Sequence, residues 1–360
     1  MSNITWRLRR YQKEDKEKII GLRKIVFKDE DIDKENIDFW NWEFENNYAG
    51  PAKVFLAVDD RDVVGHYAVC PSNILVDSQV KTGSIVVDVM THPVYRFQGM
   101  FTKIGKYSLD ESGKDGIDFS YGFPIRKTVI PGHIKVGWKI AFKLPVYVYP
   151  VDFQKIIYKF VPVRFVAWIT GIIPQFIYTI FRGIKSVFIK RYNIEESDHF
   201  DNSERLQEFI DRTRTQHRIM QSRDFKFLKW RYNENKFREY KVFTAYDVSG
   251  EIKGYIVLRQ ATIYNLDCIT IIDIQVLNCS GEIINALLQC TYQYAKKCGV
   301  ALIGCMINDN EYKKRLLTNM YIKSPYIFKF IIHKNREIDY EEDLLKNQNW
   351  FITWADTDDL

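Results

Sequence analysis

The residues best placed to do chemistry lie between Ser84 and Phe101, in the run SIVVDVMTHPVYRFQGMF. An apolar, β-branched stretch ends at Thr91, a short turn carries Pro93, Arg96 and Gly99, and Phe101-Thr102-Lys103-Ile104 opens what reads as a helix. A strand that feeds a helix through such a turn makes an anion cradle. The first amides of a helix have no intrahelical acceptor, and the helix dipole adds partial positive charge there. A phosphate accepts several of those N–H groups at once. The pattern points to a pyrophosphate of the kind that a nucleotide or coenzyme A carries. Asp88 sits inside the same apolar strand, where a carboxylate is a candidate general base.

The elements that must position this turn follow from the hydrophobic pattern. A first strand is expected at Thr5–Arg9, and Asp15 caps a helix with Ile19, Leu22, Ile25 and Val26 on one face. Val54–Val58 and Val63–Val69 form a hairpin, Ser84–Thr91 is a strand, Phe101–Ser112 a helix, and Ile117–Phe123 alternates with period two. The second half repeats the order: a hairpin at 242–258, a strand at Thr270–Leu277, an amphipathic helix at Glu282–Lys297, a strand at Val300–Met306, a helix at Asn310–Met320 and a last strand at Tyr326–His333. Val64-Gly65-His66-Tyr67 matches Lys253-Gly254-Tyr255-Ile256, and Val86-Val87-Asp88-Val89 matches Ile271-Ile272-Asp273-Ile274. These matches indicate internal duplication of one α+β unit.

At 360 residues, 46% hydrophobic and 27% charged, the chain is globular and long enough for two domains. A net charge of +6 without a dense basic stripe argues against a nucleic-acid partner. The six cysteines form no C-x-x-C pair and mostly occupy apolar runs, which predicts free thiols in a reducing compartment. The six scattered histidines show no metal-ligand spacing, so no metal is expected. The first residues lack the apolar core of a signal peptide, which leads to an expected cytoplasmic location. Phe153–Ile194 contains no Asp or Glu, and its uncharged core Phe165–Phe181 is flanked by Lys155, Lys159, Arg164, Arg182, Lys185, Lys190 and Arg191. The core is shorter than the ~20 apolar residues a span needs. Helices packed between the domains are expected, and a membrane-surface element is the second reading.

Arg96-Phe97-Gln98-Gly99-Met100-Phe101, with the lead-in Thr91-His92-Pro93-Val94-Tyr95 and the later Gly137-Trp138, resembles the GNAT superfamily of acyl-CoA-dependent N-acyltransferases. The resemblance covers most of residues 5–150 as a pattern, and the second half in architecture only. It implies an α+β fold of two GNAT-like domains, each a mixed, mostly antiparallel sheet flanked by helices. The expected boundaries are 1–150 for the first domain, 151–196 for an apolar and basic helical connector, 197–336 for a degenerate second copy and 337–360 for a tail.

The same resemblance assigns the coenzyme A pyrophosphate to Arg96, Phe97, Gln98, Gly99, Met100, Phe101 and Thr102. It assigns the pantetheine to the backbone of Val89, Met90 and Thr91, opposite Ser120, Tyr121 and Gly122. Phe101 departs from the small residue of the family turn and would have to swing into the core. The family's general acid, a tyrosine four residues before the Gly-aromatic pair, is replaced here by His133. Asp273 repeats Asp88 in a copy whose turn, Asn278-Cys279-Ser280-Gly281, has no arginine. That repetition favours a structural role for Asp88, and the second copy is expected not to bind the cofactor. The implied activity is transfer of an acetyl group from acetyl-CoA to a primary amine of a small molecule, amino sugar or peptide. The rivals are a non-catalytic tandem module that binds a partner or membrane through 153–194, and a FemAB-like aminoacyl-tRNA-dependent transferase. The acidic tail is read as a strand with a solvated end, or as carboxylates reaching the first domain's cleft.

Overall fold

The computed structural model describes residues 6–28, 32–186, 192–263 and 265–358. Thr5, Lys190, Arg191, Asp359 and Leu360, invoked above, lie outside them. In chain order the elements are β1 (Arg7–Arg10), α1 (Lys16–Phe27), α2 (Ile37–Trp40) running into a π-turn at Asn41–Glu45, β2 (Lys53–Val58), β3 (Val63–Val76), β4 (Gln79–Thr91), α3 (Met100–Lys114), β5 (Phe119–Gly122), α4 (Ile130–Val136) and β6 (Lys139–Pro150). Then come α5 (Phe153–Phe160), α6 (Arg164–Ser186), β7 (Asn193–Ser197), α7 (Glu204–Thr213), β8 (Ile219–Gln221) and α8 (Phe225–Leu228), with a π-turn at Lys229–Asn233. The chain closes with β9 (Lys241–Tyr246), β10 (Ile252–Ile263), β11 (Leu266–Val276), α9 (Gly281–Lys297), β12 (Leu302–Met306), α10 (Asn310–Thr318), β13 (Ile322–Lys334), α11 (Glu341–Leu344) and β14 (Trp350–Phe351).

Two compact units are formed, Met1–Lys143 with Phe328–Asn349, and Leu144–Ile327 with Trp350–Leu360. In the first, strands run in the order β1-β2-β3-β4-β5-β13, with β4 and β5 parallel and the other pairs antiparallel. Alternation along β2 builds two cores. Val54, Leu56 and Val58 pack with Ile19 and Leu22 of α1, Trp40 and Phe44, while Phe55 and Ala57 face Met100, Ile104 and Leu109 of α3. Each buried Val, Leu, Ile, Phe or Met among them contributes about 1.5–3 kcal/mol relative to exposure. The second unit repeats the plan as β6-β12-β11-β10-β9-β7, with β11 and β12 parallel. There α9 packs on β9, β10 and β11, and α7 on β10.

The units do not follow the contiguous boundaries expected at 150, 196 and 336. In the first unit Ile331–Lys334 pair with β5, and in the second Val146–Pro150 pair with β12. Each parallel pair is therefore bordered by a strand from the other half of the sequence. Hydrophobic alternation identifies a strand but carries no record of which distant strand it joins. Both copies also share a device the pattern did not reveal: a helical turn widening into a π-turn, capped by Asn36 in one copy and Asp224 in the other.

Candidate active site

The site begins where β4 and β5 part. They pair at Gly83–Phe119, Ser84–Ser120 and Ile85–Tyr121 only. Beyond this point β4 continues to Thr91 with no partner strand on that side among the described residues, while β5 ends at Gly122. The splay exposes one backbone edge of residues 86–91. On the opposite edge β3 stays paired out to Gly65–Thr91, through a bulge in which Ala68 faces Val87 but His66 already faces Met90. Asp88, at φ 46°, and Val89 together stand opposite the single Tyr67. Val89, Met90 and Thr91 thus lie along the divergent edge, and the Thr91 Oγ1 is buried with no hydrogen-bond partner.

Asp88 holds the bulge from both ends. Its carbonyl takes the Nδ1 of His66 at 2.6 Å, and its Oδ1 takes the Arg23 guanidinium at 2.5 Å, with both side chains of that ion pair nearly buried. Burial alone would raise the carboxyl, but Arg23, Lys34 and His66 outweigh it and leave Asp88 lowered. An ion-paired carboxylate of lowered pKa is a poor proton acceptor. In the second unit Arg223 plays the same part toward Asp273 (2.9 Å), and the hairpin Tyr255 donates to Asp273 at 3.0 Å. The arginine partners are far away in sequence, and no local signal announced them.

The turn after β4 is pinned at one point. Tyr95 donates to Asp59 in the β2–β3 hairpin, and that carboxylate raises the phenol to about 12. From Arg96 onward the turn is open. The Arg96 amide donates to the Pro93 carbonyl at 3.3 Å, while its exposed side chain makes no ion pair or hydrogen bond among the described residues. Phe97 is fully exposed at φ 65°, a conformation costing about 1–2 kcal/mol for an L-residue. Gln98 folds back onto the Val94 carbonyl at 3.3 Å. Gly99 caps α3 at φ 75°, has no side-chain cap, and has nothing within 4 Å of where a Cβ would stand. The first amides of α3, at Met100, Phe101 and Thr102, have no intrahelical acceptor.

Phe101 resolves its own conflict with the family pattern by packing against α4. A Cβ on Gly132 would stand 2.7 Å from the Phe101 ring, so the glycine makes room for the phenylalanine. His133 continues that contact, with ring centroids 5.1 Å from Phe101, 5.5 Å from Trp138 and 6.5 Å from Tyr67. Its side chain is buried, its Nδ1 is unpartnered, and burial depresses it to about 4. At neutral pH His133 carries no imidazolium proton. The desolvating aromatic cage that locates the ring also disfavours its charged form.

The second copy's turn is different in kind. Asn278 and Cys279 adopt φ 54° and 48°, and at Gly281, the first residue of α9, the Arg315 guanidinium lies about 2 Å from where a Cβ would stand. The space open beside Gly99 is filled beside Gly281. Of the tail, Trp350–Thr357 are buried in the second unit. β14 pairs with β8, and Asp356 and Thr353 bind Arg223 at 2.7 and 3.1 Å. Among the described residues no group of three or more metal-ligating side chains occurs and the cysteines are free, with Cys70, Cys268 and Cys305 buried but Cys298 exposed.

Residues 7–141 match the family model for an acetyltransferase (GNAT) domain. A search among functionally curated proteins found no match. Among solved structures the chain is similar to a probable N-acyltransferase from Enterococcus faecalis (TM-score 0.62, 14% identity, 92% of this chain and 73% of that one). It is also similar to a GCN5-related N-acetyltransferase from Anabaena variabilis (0.63, 12%, 92% and 73%). A third is Saccharomyces cerevisiae N-myristoyltransferase with bound myristoyl-CoA (0.61, 10%, 94% and 84%). At these identities the likeness shows a shared fold across nearly the whole chain.

Proposed function

We propose that this chain is an acyl-CoA-dependent N-acyltransferase that moves an acetyl group from acetyl-CoA to a primary amine of a small molecule, an amino sugar or a peptide. One observation carries the reading: the turn at Arg96–Thr102 is open and uncapped at the head of a 15-residue helix, whereas its counterpart at Gly281 is filled by Arg315. The residues present fit coenzyme A. Arg96 and the amides of Met100, Phe101 and Thr102 would hold its pyrophosphate. Val89, Met90 and Thr91 would offer their free edge to the pantetheine. Bound acyl-CoA supplies the thioester that the amine attacks. Asp88 keeps the bulge open as a positioning residue, and neither it nor His133 is needed as a proton carrier.

Acetyl-CoA at 100 times its Kd should stabilise the fold by about 2.7 kcal/mol, read as a rise in melting temperature. The Arg96→Glu variant should melt as wild type alone and lose most of that rise. No shift at millimolar acetyl-CoA in folded wild-type protein would overturn the proposal. Release of free coenzyme A thiol across a panel of amines then identifies the acceptor class.

A further inference from the structure

Helix α6 is built inside out. Its small and polar side faces the second unit. Gly171 packs on Gln154, Gln175 accepts from the Phe153 amide at 3.1 Å and donates to the Val151 carbonyl at 3.2 Å, and Tyr178 donates to the Met320 carbonyl at 3.3 Å. The opposite side carries Phe165, Ile169, Ile172, Ile173, Phe176 and Ile180, which at helical spacing fall in one stripe about 100° wide. All six are exposed, Phe165 and Ile173 at 68% and Phe176 at 65%. An ordinary surface helix buries that stripe. A contiguous apolar face of this size in water marks a docking surface.

We propose that α5 and α6 seat this protein on an anionic lipid surface, with the stripe of α6 immersed in the headgroup region and the flanking cations on the phosphates. The charge pattern selects this occupant. Residues 153–194 hold seven Lys and Arg and no Asp or Glu, and each cation near such a surface adds to the attraction. A second copy would bring seven like charges against seven. A nucleic acid would use the charges but leave the stripe in water. No helix among the described residues is long and apolar enough to cross a membrane, so α6 lies along the interface.

The test is flotation of the full chain with phosphatidylcholine vesicles, with and without phosphatidylglycerol. Wild type should float with the anionic vesicles and about tenfold less with neutral ones, and rising salt should weaken it. Ile173→Glu/Phe176→Glu should abolish flotation with the melting temperature unchanged, since both side chains are exposed, and Lys159→Glu/Arg182→Glu should weaken it about tenfold. Absence of flotation with anionic vesicles would overturn the proposal, as would equal binding by the stripe variant. So would a vesicle-free dimer of wild type that the stripe substitutions turn into a monomer. Binding needs no acyl transfer, so Arg96→Glu should float as wild type and the two proposals fail separately.

Discussion

At the scale of single residues, Asp88 and His133 are decided by their surroundings. Removing one partner of a buried ion pair costs about 3–5 kcal/mol, so Asp88→Asn should lower the melting temperature sharply while retaining acetyl-CoA binding. Because the folded carboxyl is lowered below its unfolded value, its stabilisation is complete above about pH 4 and fades as pH falls further. The variant should lack that acid-side loss. A general base would show instead a collapse of kcat with unchanged stability. His133 has the opposite history but the same sign. The unfolded ring takes a proton near 6.5 and the folded ring only near 4, so stability is full above pH 6.5 and is lost between 6.5 and 4. The loss is on the order of 3 kcal/mol. His133→Leu should flatten that part of the melting-temperature profile and leave kcat within a few-fold of wild type.

At the scale of elements, the packing of α3 on α4 is what permits a phenylalanine in the turn proposed to hold the pyrophosphate. Gly132→Ala would place a methyl 2.7 Å from the Phe101 ring. Overpacking of this kind costs about 1–3 kcal/mol and would push Phe101 toward the phosphate site. Gly132→Ala should therefore lower both stability and acetyl-CoA affinity, and Phe101→Ala added to it should restore affinity. The departure from the family turn was visible in the sequence. Its compensation was not, because the residues lie 31 positions apart and only the α3–α4 contact joins them.

At the scale of the whole molecule, the exchanged strands mean that neither half of the sequence holds a finished sheet. Asp118, beside β5, is hydrogen-bonded by Tyr340 at 2.8 Å and paired with Arg336, and Asn335 donates to Ser120 at 2.8 Å. A fragment ending at residue 150 would lose these partners and expose the edge of β5. We expect that fragment to aggregate or to lack a cooperative melt, and co-expression with residues 151–360 to restore a soluble complex. A cooperative melt of the fragment alone would show that β13 is dispensable.

The sequence alone determined the order of strands and helices, the duplication and the position of the turn at Arg96–Thr102, since each is written in local periodicity or in glycine and arginine spacing. It also marked 153–194 as apolar and basic. Only the tertiary structure decided which way α6 faces, which arginine neutralises each strand aspartate, and that His133 is caged and uncharged. It alone showed that one copy's cradle is open and the other's filled by Arg315. Each of those rests on contacts between residues distant in sequence. Burial and long-range charge, not residue type, set the outcome there.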